Sequence, residues 1–98
     1  MADTATHAIV VKVTFKPGAA DVADKLLQDE VIPGAKQAEG FVAGYWMHGE
    51  DRTFGISVEL FDSLANAQAE LGRRQATSPP DAPVEIVSVD VVEVVGQG

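Results

Sequence analysis

Tyr45, Trp46 and His48 are the side chains whose types and spacing in this chain best suit chemistry. They fall within four residues, just before the turn Gly49-Glu50-Asp51. A phenol or indole ring can hold an aromatic ligand and hydrogen-bond its oxygen. An imidazole titrates near neutral pH and can take a phenolic proton. Strand alternation puts Tyr45 with Phe41 and Met47 on one face and Trp46 with His48 on the other, so the three share a pocket only if a bulge intervenes. The same residues would serve equally as core or interface aromatics beside a solvated turn histidine, and the pattern leaves both readings open.

Other chemistries lack their residues. Cysteine is absent, which removes thiolate nucleophiles, disulfides and cysteine metal sites together. The two histidines, His7 and His48, are far apart and neither sits in a His-x-x-x-His spacing, so no metal is expected. Gly40 and Gly44 do not form a phosphate loop, and Ser57, Ser63, Ser78 and Ser88 stand outside any Gly-x-Ser-x-Gly elbow. Asp29-Glu30 and Glu50-Asp51 read as solvated charge. A net charge of −8 disfavours nucleic acid and anionic membranes. No apolar run approaches the roughly 20 residues of a bilayer span. The segment 1–6 has an acidic residue and no basic n-region, which points to a cytoplasmic protein rather than a secreted one.

The elements that must position the cluster follow from periodicity. Residues 7–15 alternate as a strand, with Ile9, Val11, Val13 and Phe15 on one face. Pro17-Gly18 stops it. A helix is expected over 19–31 with Val22, Leu26 and Leu27 as its buried stripe. Pro33-Gly34 should break or kink it, a short further turn should cover 36–38, and Gly40 suits a left-handed position. Strands are expected over 41–48 and 52–61, joined by the hairpin. A second helix over 63–74, capped by Asp62 or Ser63, should bury Leu64, Ala67 and Leu71. The Pro-rich stretch 75–83 reads as the longest loop, and 84–95 as a long last strand. The chain thus divides into a disordered N-terminus at 1–6, one domain over 7–95 and a frayed C-terminus at 96–98.

This βαββαβ order is the ferredoxin-like α+β arrangement, a four-stranded antiparallel sheet with two helices on one face. The first and third strands should be central, with Phe54, Ile56, Val58 and Leu60 under the helices. The open face would then carry Val10, Lys12, Thr14, Ser57, Glu59, Val42 and Trp46, with valines of the last strand. That much apolar surface calls for a partner. A homodimer is expected, with Lys12, Glu59, Val87 and Val89 at its interface and Lys12 paired to Glu59.

With these elements placed, the chain resembles the dimeric α/β-barrel superfamily, and within it the antibiotic-biosynthesis monooxygenase-like proteins. The likeness lies in the valine-rich first strand with Lys16-Pro17-Gly18, in Glu39-Gly40-Phe41-Val42 leading to Tyr45-Trp46, and in Glu59-Leu60-Phe61-Asp62-Ser63 before the second helix. It spans residues 7–95. The resemblance implies two subunits packed sheet to sheet, with a small molecule held between sheet and helices. It implies oxidation of an aromatic or polyketide-like molecule by dioxygen without metal, flavin or other cofactor. Tyr45, Trp46, Phe54 and Arg73 would bind the substrate, with Asn66 and Arg74 nearby, and His48 with Tyr45 would be catalytic, His7 being a second candidate base. Haem-degrading relatives use a helix histidine, which neither helix here has. The alternative is a non-catalytic dimeric accessory domain that binds a small apolar ligand.

Overall fold

A computed structural model describes residues 4–77 and 82–98. Strand β1 (His7–Phe15) is followed by helix α1 (Ala20–Leu26), a π-helical segment (Leu27–Val31) and helix α2 (Ile32–Lys36). Strands β2 (Phe41–His48) and β3 (Phe54–Phe61), helix α3 (Leu64–Thr77) and strand β4 (Val84–Glu93) complete the chain. The four strands form one antiparallel sheet in the order β2-β3-β1-β4. The ferredoxin-like α+β class and the central place of β1 and β3 agree with the sequence pattern.

The helical rod does not break at Pro33. It widens before it: the Ile32 N–H donates to the Leu27 carbonyl five residues back. A proline inside an α-helix presses on the carbonyl four residues earlier, and the wider turn relieves that contact. Pro33 then sits in the first turn of α2, where its missing N–H costs least. At the other helix, the Ser63 hydroxyl accepts from the Asn66 N–H at 3.1 Å and caps α3. The helix runs on to Thr77, past the expected end at 74. Residues 78–81, the centre of the expected loop, and residues 1–3 lie outside the described residues. The chain is tied down before residue 7: Ala5 is buried, Thr6 donates to the Phe61 carbonyl, and Thr6 accepts from Val94.

The register reverses the faces expected for β3. His7 lies opposite Phe61, Ile9 opposite Glu59, Val11 opposite Ser57 and Val13 opposite Gly55. Residues opposite one another share a face. The helix side of β3 is therefore Gly55, Ser57, Glu59 and Phe61, and the apolar set Phe54, Ile56, Val58 and Leu60 looks out from the open side. Lys12, opposite Ile56, is on that open side, with its Nζ 5.7 Å from the centre of the Phe54 ring. Lys12 and Glu59 occupy opposite faces and do not pair. Val89 lies opposite Val11 and packs against the core, whereas Val87 sits at a register shift in β4 and is exposed.

The helix stripes also differ from expectation. Val22 is 62% exposed, and the inward side of the rod is Ala23, Leu26, Leu27 and Val31. Leu64 is exposed, and α3 buries Ala67 and Glu70. The core gathers at one end of the sheet, where Ile9, Phe61 and Ala67 meet Phe41, Leu71 and Val91. The Phe41 and Phe61 rings pack edge to face, 6.0 Å between centres.

Gly40 holds α3 against the start of β2. Its φ is +80°, its carbonyl accepts from the Asp62 N–H at 2.9 Å, and a Cβ there would run into the Asn66 and Asp62 side chains. Gly40→Ala should destabilise the fold by at least about 1–2 kcal/mol, the cost of a left-handed non-glycine residue. Urea unfolding checks this; a midpoint equal to that of the parent chain would show that the turn rearranges freely.

Candidate functional site

A cleft opens between the sheet and the α1–π rod, at the opposite end of the sheet from the core. Its volume is about 190 Å³. Val11, Val13, Phe15 and Trp46 supply its sheet wall, and Leu26, Leu27 and Val31 its roof. Three small or polar positions of β3, Gly55, Ser57 and Glu59, leave the space that larger side chains would fill. At Gly55 a Cβ would stand 3.2 Å from Val13 Cγ2 and 3.4 Å from Phe15 Cζ.

A bulge in β2 aims the aromatics. Phe41 lies opposite Phe61, but Ala43 lies opposite Leu60, so the register slips between them. Phe41, Gly44, Trp46 and His48 consequently share the helix side. The Trp46 indole lies over Gly44, where a Cβ would come within 2.5 Å of Cη2. Tyr45 and Met47 face the open side, with Tyr45 59% exposed.

His48 lines the cleft at its solvent end. Its Nδ1 is 3.1 Å from the Gly49 carbonyl. A carbonyl only accepts, so Nδ1 carries the proton and Nε2 of the neutral ring is left with a lone pair. The Phe15 ring stands edge-on to the imidazole at 6.4 Å. The adjoining hairpin is fastened to α1: Arg52, at φ +58°, reaches Asp24 at 2.6 Å and Asp21 at 3.0 Å.

The inner end of the cleft is charged but neutralised. Glu59 is 0% exposed, and both its oxygens accept from the terminal nitrogens of Arg74. Arg74 Nε donates to Glu70 at 2.8 Å, and Arg73 holds Glu70 through two further bonds at 2.8 and 2.7 Å. Burial alone would raise the Glu70 pKa, yet the hydrogen bonds and charges of Arg73 and Arg74 hold it below the ordinary carboxylate value. Burial would likewise lower the Arg74 pKa, and its two carboxylates raise it instead.

Of the residues expected to act, the structure brings Trp46 and His48 to one cleft. It sends Tyr45 and Phe54 to the open face. Arg73 leaves the cleft for a groove between α2 and α3, shared with Asn66. His7 lies at the far end of β1, where its Nδ1 meets the Thr6 hydroxyl at 2.9 Å. The cleft-lining arginine is Arg74, and the helical spacing 67, 70–71, 74 already places it, rather than Arg73, on the buried stripe. Among the described residues no three His, Asp or Glu side chains converge to hold a metal ion, and no helix is long and apolar enough to cross a membrane.

No protein-family model and no curated protein matches the chain. Solved structures do. A protein of unknown function from Nitrosomonas europaea is 23% identical, with TM-score 0.69 over 96% of this chain and 93% of that one. A candidate antibiotic biosynthesis monooxygenase from Chloroflexus aurantiacus is 15% identical, with TM-score 0.70 over 95% and 96%. A Streptomyces coelicolor monooxygenase, solved in complex with nanaomycin D, is 16% identical, with TM-score 0.60 over 95% and 90%. The chain therefore has the fold of the antibiotic-biosynthesis monooxygenase-like and dimeric ferredoxin-like proteins. At these identities the likeness is one of fold.

The Glu70 shift fixes a pH dependence. A carboxylate whose folded pKa lies below its unfolded value of about 4.5 contributes stability that is complete above pH 4.5. That stability disappears as pH falls through the depressed folded value. Glu70→Gln should cost about 2 kcal/mol at pH 7, the worth of a hydrogen bond to a charged group. The gap between variant and parent should narrow as pH falls below about 4.5. Urea midpoints of both proteins from pH 7 to pH 3 measure it, and a gap that stays constant would mean Glu70 is not held as a carboxylate.

Proposed function

We propose that this chain binds a small aromatic molecule in the cleft and oxidises it with dioxygen, without metal or flavin, as a homodimer. The observation that carries this reading is the juxtaposition of Trp46 and His48 in an apolar cleft open to solvent. Trp46 would flank the ring of a phenolic ligand. His48 Nε2, at the mouth, would take the phenolic proton. The resulting phenolate gives up four electrons to dioxygen: one oxygen atom enters the ring, the other leaves as water, and the phenol becomes a quinone. Among proteins of the same fold, the nanaomycin D complex and the candidate antibiotic biosynthesis monooxygenase support the chemical class.

The size of the cleft favours a second reading as well. Drug-sized ligands occupy sites of roughly 300–1,000 Å³, whereas about 190 Å³ suits one ring, or a larger molecule that projects through the mouth. A non-catalytic carrier of a small apolar ligand needs no more. Trp46 is the single tryptophan of the chain, so its emission reports binding directly. The parent protein should bind phenol or 1-naphthol with a dissociation constant of about 1 μM to 1 mM. Oxygen uptake on binding, lost in His48→Ala, supports the monooxygenase. Quenching without uptake supports the carrier, and no quenching by either phenol sinks both readings.

The homodimer rests on the open face. Phe54, Ile56, Val58 and Leu60 of β3 lie beside Val10, Tyr45 and Met47, an apolar expanse that a lone solvated sheet does not present. Sedimentation should give a dimer at micromolar concentration, and Val58→Glu should give a folded monomer. A parent chain that sediments as a monomer would remove the assembly.

A further inference from the structure

The charge balance inside the cleft decides what chemistry can enter. Glu59 is one buried carboxylate with no exposure, and both its oxygens are occupied by Arg74. Arg74 continues to Glu70, and Arg73 closes the array from outside. Two carboxylates alternate with two guanidiniums, so each of these charges has an opposite neighbour. Around it the walls are apolar: Val11, Val13, Phe15, Leu26 and Leu27.

We infer that Glu59 is the specificity-determining residue of the cleft, making it selective for uncharged aromatic ligands and closing it to aromatic carboxylates. This rests on the reading of the cleft as an aromatic-ligand site. A carboxylate that entered would have to displace Glu59 from Arg74, and the displaced carboxylate would stay buried without a partner. Coulomb repulsion between the two anions is strong in surroundings of low dielectric constant. An un-ionised phenol or alcohol meets the pair as a dipole and displaces nothing. Its oxygen is then turned toward the mouth, where His48 stands, because the inner end already has its hydrogen bonds satisfied.

The assignment has a direct converse. Glu59→Gln keeps the shape of the side chain and removes its charge. Arg74 then keeps Glu70, which Arg73 also holds, and the cleft is one charge more positive than in the parent. The amide offers the guanidinium one acceptor in place of two, so it yields Arg74 to a ligand carboxylate, which restores the two-pronged geometry a guanidinium prefers. One substitution of the host thus converts a cleft for neutral rings into one for anionic rings.

Benzyl alcohol and benzoate test this, since they share a ring and differ in charge. Binding is followed on the purified full chain by Trp46 emission and calorimetry. The parent protein should bind benzyl alcohol at least tenfold more tightly than benzoate. In Glu59→Gln, benzoate should tighten at least tenfold while benzyl alcohol changes less than threefold. Glu59→Gln/Arg74→Gln should lose the gain. If Glu59→Gln is only partly folded, benzoate should raise its Tm and leave the parent's unmoved, because a ligand stabilises the form it binds. Absence of a benzoate gain in Glu59→Gln by both binding and Tm overturns the assignment, even if the parent binds benzyl alcohol and the aromatic-site reading survives. A parent that binds neither ring overturns the aromatic-site reading and the assignment with it.

Discussion

The ion pair between Glu59 and Arg74 is the constraint around which this small domain is arranged. A carboxylate with no exposure, in the middle of a central strand, is tolerated only with a partner that satisfies both oxygens. Arg74 does so from the inward side of α3. The pair commits β3 to turn Gly55, Ser57 and Glu59 toward the helices. It thereby commits the strand's apolar residues to the open side. Cleft and open apolar face are two results of one register.

The helix layer is correspondingly uneven. Over the end of the sheet near Phe61, α3 and Phe41 close on Ile9 and Ala67. Over the other end the α1–π rod approaches the strands less closely. The rod is held there by its leucines and by the Arg52 pairs to Asp21 and Asp24. A modest core and a hollow can coexist in one chain of 98 residues because they occupy different ends of the same sheet.

Element order, strand centrality and the ferredoxin-like class were legible because periodicity and turn residues are local signals. Ser63 as a cap and Gly40 as a left-handed residue were legible for the same reason. The facing of β3 was not. Its alternation is clear, but it does not say which side meets the helices, and burying the apolar set is the natural choice unless a distant arginine neutralises Glu59. The shared side of Trp46 and His48, with Tyr45 on the other, was readable from alternation; the slip near Val42 that brings Phe41 to Trp46 and His48 has no marker in the sequence beyond the small residues around it. Val22 and Leu64 were misplaced because a stripe of two or three residues on a short helix leaves its phase underdetermined.

The π-helical segment couples parts of the chain that look separate. Successive α-helical residues turn by about 100° around the axis, so a wide turn acts like one inserted residue and advances the phase of everything after it. Before the advance, Leu26 and Leu27 roof the cleft; after it, Ala35 is buried and Ala38 meets the core. Deleting any one residue from the segment would cancel the advance and swing Ala35 about a quarter-turn out of its place. The rod should therefore accept changes of side chain far more readily than changes of length, and its length is what keeps cleft and core in phase.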